Sequence, residues 1–305
     1  MLALILSVLT LLGTGSAVPL PVQQDRGGGQ YTVAVDVDLI LFNISVTDSR
    51  GEQVGGLTQN DFRVTEDGHP QKITLFRAED VPASIGLIID NSGSMRTRSA
   101  EVAEAALGFV NASNSDDELF TINFNEKVYL GLPDSILFSH DMNQLRSALL
   151  RNAASGLTAL YDALSTGLEH LKLSRRDRKA LVALSDGGDN ASHCKLDDVV
   201  RLAHESSATI YTIGLYEVEN PDRNPGALRR ISSRSGGRAF FPKSPKELQR
   251  AWLDIASGIR SQYTIGFTST NAMRDGTFRK VRIAASQNGK GLTVQTREGY
   301  MAPGK

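Results

Sequence analysis

Between residues 82 and 260 the chain repeats one pattern: a short apolar run, then a longer stretch with helical periodicity. Ile85-Gly86-Leu87-Ile88-Ile89 has no polar interruption, which suits a strand buried on both faces of a parallel sheet. Val102, Ala105, Ala106, Phe109 and Val110 then recur at the spacing of one helix face. The alternation continues with strands expected over 119–124, 180–184, 209–215 and 238–241. Helices are expected over 143–150, 158–171, 196–205, 227–233 and 245–259. Such alternation predicts an α/β fold with a doubly wound, mostly parallel sheet.

Strand patterns flank this region on both sides. Val33, Val35, Val37, Leu39 and Leu41 alternate with mostly polar neighbours, and the apolar phase then shifts to Ile44 and Val46. That shift points to a bulge or an edge crossing. Short strands are expected at 62–65 and 73–76, and again at 263–267, 278–284 and 292–296. Two or three strands are marginal alone. Segments 31–81 and 261–300 are therefore expected to pair in a small β-sandwich, with the α/β region 82–260 inserted in it.

The first residues have the pattern of an export signal. Leu2 to Leu12 are mostly apolar, too few for a bilayer span of about 20 residues. Small residues, Ser16-Ala17, follow, so 1–17 reads as a signal peptide, although no Lys or Arg precedes the apolar run. Residues 18–30 contain Gly27-Gly28-Gly29 and read as a linker. The expected location is periplasmic, cell-surface or secreted, with no membrane span.

Charge narrows the function classes. Lys and Arg total 33 and Asp and Glu total 34, so the broad basic field of a nucleic-acid binder is missing. The one basic run, 172–179, reads as a solvated helix end. The single cysteine, Cys194, can form neither an internal disulfide nor a cysteine zinc site. The five histidines are scattered, and neither Gly-x-Ser-x-Gly nor Gly-x-Gly-x-x-Gly occurs where a hydrolase or a dinucleotide fold needs it.

One loop carries concentrated oxygen chemistry. Asp90-Asn91-Ser92-Gly93-Ser94 stands where the first buried strand ends, the edge at which open α/β sheets bind ligands. A carboxylate and two hydroxyls there are hard donors, suited to Mg²⁺ or a similar cation. Each residue also has a plainer role: Asp90 as a helix cap, Ser92 and Ser94 as turn residues.

Asp90-x-Ser92-Gly93-Ser94-Met95 resembles the opening of the metal-ion-dependent adhesion site of von Willebrand factor type A domains. The family also needs a Thr on a second loop, and Gly156-Leu157-Thr158-Ala159-Leu160-Tyr161 resembles it. A third loop supplies an Asp, and Leu181-Val182-Ala183-Leu184-Ser185-Asp186-Gly187-Gly188 matches. The flanks, with Arg297-Glu298-Gly299-Tyr300, resemble a bacterial group of related proteins. The resemblance implies that Asp90, Ser92, Ser94, Thr158 and Asp186 hold Mg²⁺ (or Mn²⁺ or Ca²⁺). It implies that the metal accepts an Asp or Glu carboxylate of a protein partner, and that the protein is not an enzyme. Asp189 could support the site or lie in a solvated loop, and Asp162 is expected to face away from it. The alternatives are an accessory subunit of a chelatase or AAA-type machine, and a metal-assisted hydrolase, for which no general base stands out.

Overall fold

The computed structural model describes residues 38–78, 80–151, 154–216 and 221–304, which form one compact unit. The expected leader and linker, and the Val33-Val35-Val37 series, lie outside these residues.

Four strands open the described chain: β1 (Leu39–Thr47), β2 (Phe62–Glu66), β3 (His69–Gln71) and β4 (Ile73–Arg77). The α/β region runs β5 (Ala83–Asp90), α1 (Ser99–Ala112), β6 (Glu118–Phe124), β7 (Val128–Leu130), α2 (Met142–Leu149) and α3 (Leu160–Leu171). It continues β8 (Arg178–Ser185), α4 (Leu196–Ser206), β9 (Thr209–Gly214), α5 (Pro225–Ser235), β10 (Ala239–Phe240) and α6 (Pro245–Arg260). Then follow β11 (Tyr263–Thr268), β12 (Phe278–Gln287), β13 (Lys290–Gln295) and β14 (Gly299–Met301).

The central sheet has the order β10-β9-β8-β5-β6-β7. All its pairs are parallel except β6–β7, where a short antiparallel edge strand was not legible as a periodic run. Every residue of β5 is buried, as its unbroken apolar run requires, because helices cover both faces. The chain leaves β5 toward β6 on one side and later returns to β8 on the other. The order therefore reverses beside β5, and the crevice between the carboxyl ends of β5 and β8 is a topological switch point.

The flanks join. β1 pairs with β11 and β13, β2 with β12, and β4 with β11, so N-terminal and C-terminal strands are interleaved in a single order. They enclose a second core that includes Phe42, Ile44, Phe62, Tyr263, Ile265 and Phe267. In β1 the buried series is Ile40, Phe42, Ile44 and Val46, while Leu39 is 45% exposed and Leu41 half-buried. The expected inward face at Leu39 and Leu41 was wrong, and the apolar phase does not shift. Both faces of this strand carry apolar residues, so alternation alone could not tell them apart. What changes is the partner: Ile44 opposes Tyr263 of β11, and Ser45 opposes Gln295 of β13.

Two buried arginines fasten the α/β region to these strands. Arg178, in the basic run expected to be solvated, is only 1% exposed. Its guanidinium donates to the carbonyls of Ile259 and Gln262 at 3.1 and 3.0 Å and of Val81 and Arg260 at 3.4 Å. It thus closes the two chain crossings of the α/β region. Arg297 donates to the carbonyls of His204 and Leu41 at 2.7 and 2.8 Å and lies over the Phe42 ring. Burial pulls its pKa down to about 10, so it stays charged at neutral pH against the carboxyl end of α4.

Candidate metal centre

The parallel register sets Ile89 beside Leu184, so the loops after β5 and β8 leave the sheet together. Asp90, the last residue of β5, is 1% exposed. Its Oδ1 accepts the Ser92 amide at 2.8 Å and its Oδ2 accepts the Ser185 hydroxyl at 2.6 Å. The hydroxyls of Ser92 and Ser94 are 3.1 Å apart, and Ser94 Oγ donates to Asp186 Oδ2 at 2.9 Å. Asp186 Oδ1 accepts the Gly188 amide at 2.8 Å. Four of the five residues are therefore joined in one run of contacts that ends on a buried carboxylate at each side.

Thr158 arrives through its backbone. Its amide donates to Asn190 Oδ1 at 2.9 Å, and its carbonyl accepts the amides of Asn190 and Ala191 at 3.0 and 3.1 Å. The same loop donates Ser155 N to the Asn91 carbonyl at 2.8 Å and accepts Gly93 N on the Gly156 carbonyl at 3.1 Å. The three loops are laced to one another by main chain, which fixes where their side chains point.

The plainer roles are met in part. Ser92 and Ser94 lie at the start of the helical turn Gly93–Arg98, as turn residues do, but that turn has no side-chain cap bond, and α3 begins behind Ala159, one residue after Thr158. Asp189, half-buried, caps that helix: its Oδ1 accepts Tyr161 N at 3.2 Å and Ser192 Oγ at 2.6 Å. The solvated-loop reading of Asp189 is thus corrected. Asp162 turns to another loop and accepts the amides of His193 and Cys194. Burial raises its pKa, but these amides outweigh it and bring the carboxyl down to about 2.

Ser185 was missed. It is the only polar residue in the run Leu181–Ser185 and stands fully buried at the strand end, which was the available signal. It orients Asp90 while accepting the Gly187 amide at 3.0 Å. Burial pushes the Asp90 carboxyl up to about 6. The hydrogen bonds of Ser185 and Ser92 oppose this rise, and the nearby charge of Asp186 adds to it.

Gly187 makes the turn that carries Asp186. Its φ is +84°, and a Cβ there would lie 2.5 Å from the Asn224 carbonyl oxygen. Backbone strain and a clash with main chain then add. Gly187→Ala is expected to lower stability by about 2–4 kcal/mol. Urea unfolding checks this: an unchanged midpoint would mean that the turn is not held as described.

Among the described residues no three His, Cys, Asp or Glu side chains are grouped to hold a metal. A cation at this edge would have to combine the two carboxylates with hydroxyl oxygens. The donor set fits that demand, being all oxygen, with two negative charges and neutral serines between them. It does not fit a soft metal.

The architecture and the three laced loops define an α/β class with its loops gathered at one carboxyl edge of the sheet. The family model of the von Willebrand factor type A domain matches residues 84–251, more than half of the chain, and the chain belongs to that family. An uncharacterized protein of Synechocystis sp. is 28% identical over 199 residues, covering 63% of this chain and 44% of the relative. The chain thus spans less than half of that relative's length. A von Willebrand factor type A structure from Catenulispora acidiphila has a TM-score of 0.53 at 14% identity, covering 87% of this chain and 74% of that one. It shares the fold. A pilus adhesin of Lactobacillus rhamnosus GG has a TM-score of 0.48 at 11% identity, covering 84% and 49%. Among the described residues no helix is long and apolar enough to cross a membrane.

Proposed function

We propose that this chain is a metal-dependent protein-binding module of the adhesion type. One observation carries the reading: two buried carboxylates meet at the switch point between β5 and β8, where Asp90 accepts the Ser92 amide and the Ser92 hydroxyl contacts that of Ser94, which donates to Asp186. Two buried carboxylates in one small site are costly without a counter-charge. A divalent cation supplies that counter-charge, and Mg²⁺ accepts one or two carboxylates together with neutral oxygens.

Asp90, Ser92, Ser94, Thr158 and Asp186 would hold the cation. Ser185 and Gly188 keep the two carboxylates oriented through the bonds described above. When bound, the metal offers an electrophilic position to an Asp or Glu carboxylate of a protein partner. The remaining chain is a scaffold for that edge, with the flanking strands as a β-sandwich base. No residue of the site is assigned a catalytic role.

A ligand that binds only the folded state stabilises it by mass action, by about 1.4–2.7 kcal/mol at 10 to 100 times its Kd. Thermal unfolding of the full chain is therefore expected to shift upward with MgCl₂ and to return with chelator. Equal midpoints in MgCl₂ at millimolar concentration and in chelator would overturn the reading.

A further inference from the structure

The carboxyl edge carries a second cluster beside the metal loops. The Leu215 amide donates to the Ser185 carbonyl at 3.1 Å, which sets the segment after β9 one strand away from Asp186. The Asn224 amide donates to the Asp186 carbonyl, also at 3.1 Å, so the segment bearing Arg223 is seated on the same loop. Phe241 closes over Gly214, where a Cβ would lie 2.6 Å from its ring. The rings of Tyr216 and Phe241 are 6.2 Å apart. Arg223 stands 5.4 Å from the Tyr216 ring centre, and Arg229 of α5 stands 4.3 Å from that of Phe241.

This is one continuous group, Arg223-Tyr216-Phe241-Arg229. Arg229 is exposed and the other three are half-buried. A guanidinium held over a ring has lost part of its rotamer freedom, yet the ring takes none of its N–H groups, so these remain free to donate. Among the described residues neither arginine is in an ion pair, whereas the neighbouring Arg230 and Arg234 are both engaged by Asp197.

We propose that this cluster is a second recognition point on the same edge. It receives further carboxylates of an acidic peptide segment, one of whose Asp or Glu residues meets the metal loops. The proposal rests on the function proposed above. Planar guanidinium forks match carboxylates. A nucleic acid fits poorly, because the chain has net charge −1 and the cluster adjoins the buried carboxylates of Asp90 and Asp186.

The test uses two fluorescent synthetic peptides of equal length in a Gly/Ser background, one with a single Glu and one with three. Anisotropy is read on the full chain in MgCl₂ at physiological salt. The parent is expected to prefer the three-Glu peptide by about tenfold, the scale of two screened charge-assisted contacts. Arg223→Gln/Arg229→Gln is expected to lose that preference while keeping its Mg²⁺-dependent unfolding shift. Arg63→Gln/Arg282→Gln, an equal charge change on exposed positions of β2 and β12, is expected to retain it.

Absence of preference in the parent overturns the proposal. So does preference that survives in Arg223→Gln/Arg229→Gln or is equally lost in Arg63→Gln/Arg282→Gln. An oligonucleotide of equal charge that displaces the peptide also overturns it. Failure of the metal reading is distinct. Three-Glu binding that persists in chelator and in Asp90→Asn, yet is lost in Arg223→Gln/Arg229→Gln, keeps the arginine site and removes the metal.

Discussion

Asp90→Asn is expected to weaken Mg²⁺ binding at least about 100-fold, equivalent to about 2.7 kcal/mol, while the protein stays folded. The substitution keeps shape and one acceptor for the Ser92 amide, but removes one of the two charges that would hold a hard cation under the proposed function. Metal-free stability should move the other way. Burial holds the Asp90 carboxyl at about 6 in the fold, above its ordinary value of 3.8. A raised carboxyl pKa means that stability is lost as pH rises through the interval from 3.8 to about 6, and the deficit is complete above it. Asparagine avoids this cost, although the Ser185 hydroxyl then loses its charged acceptor, worth about 1 kcal/mol. At pH 7.5 in chelator the variant should therefore match the parent or exceed it by up to about 2 kcal/mol. Below pH 4 that advantage should vanish. Calorimetry with MgCl₂ and urea unfolding in chelator read the two halves. Parent-like heats would remove Asp90 from the site. A variant several kcal/mol less stable in chelator would make Asp90 a structural residue.

Arg178→Met is expected to cost about 3–5 kcal/mol, the scale for removing one side of a buried charged network. Methionine fills similar volume, but it leaves the carbonyls of Val81, Ile259, Arg260 and Gln262 without the guanidinium that now serves them. Arg178→Lys should recover less than half of the loss, because an ammonium cannot reach several carbonyls as a planar fork does. Arg178 opens β8 and Asp186 follows its other end, about 23 Å away at strand rise. The Mg²⁺ response of the folded fraction should therefore be unchanged. A urea midpoint equal to that of the parent would show that the clamp contributes nothing.

These two residues differ in how they could be read. Asp90 stands at the end of an unbroken apolar run and begins a dense oxygen pattern, so the strand, its edge and the oxygen donors gathered there were legible together. The same holds for Asp186 after its own run. Ser185 carried a fainter sign, a lone hydroxyl on a buried strand, and its role needed the 2.6 Å contact with an atom 95 residues earlier. Arg178 sat in a stretch of charges that local reasoning assigns to solvent. The chain crossings it serves are distant in sequence, and only the fold brings them to one guanidinium. Asp189 likewise caps a helix that begins 29 residues before it.

The sequence by itself determined the α/β alternation and the strand edge at which oxygen donors gather. Those features are written in local periodicity and in residue type, which need no partner to be read. The tertiary structure alone decided which face of β1 is buried, how the three loops are laced, and that two arginines stack on aromatic rings beside Asp186. Each of these depends on contacts between residues far apart along the chain, and such contacts have no local signature.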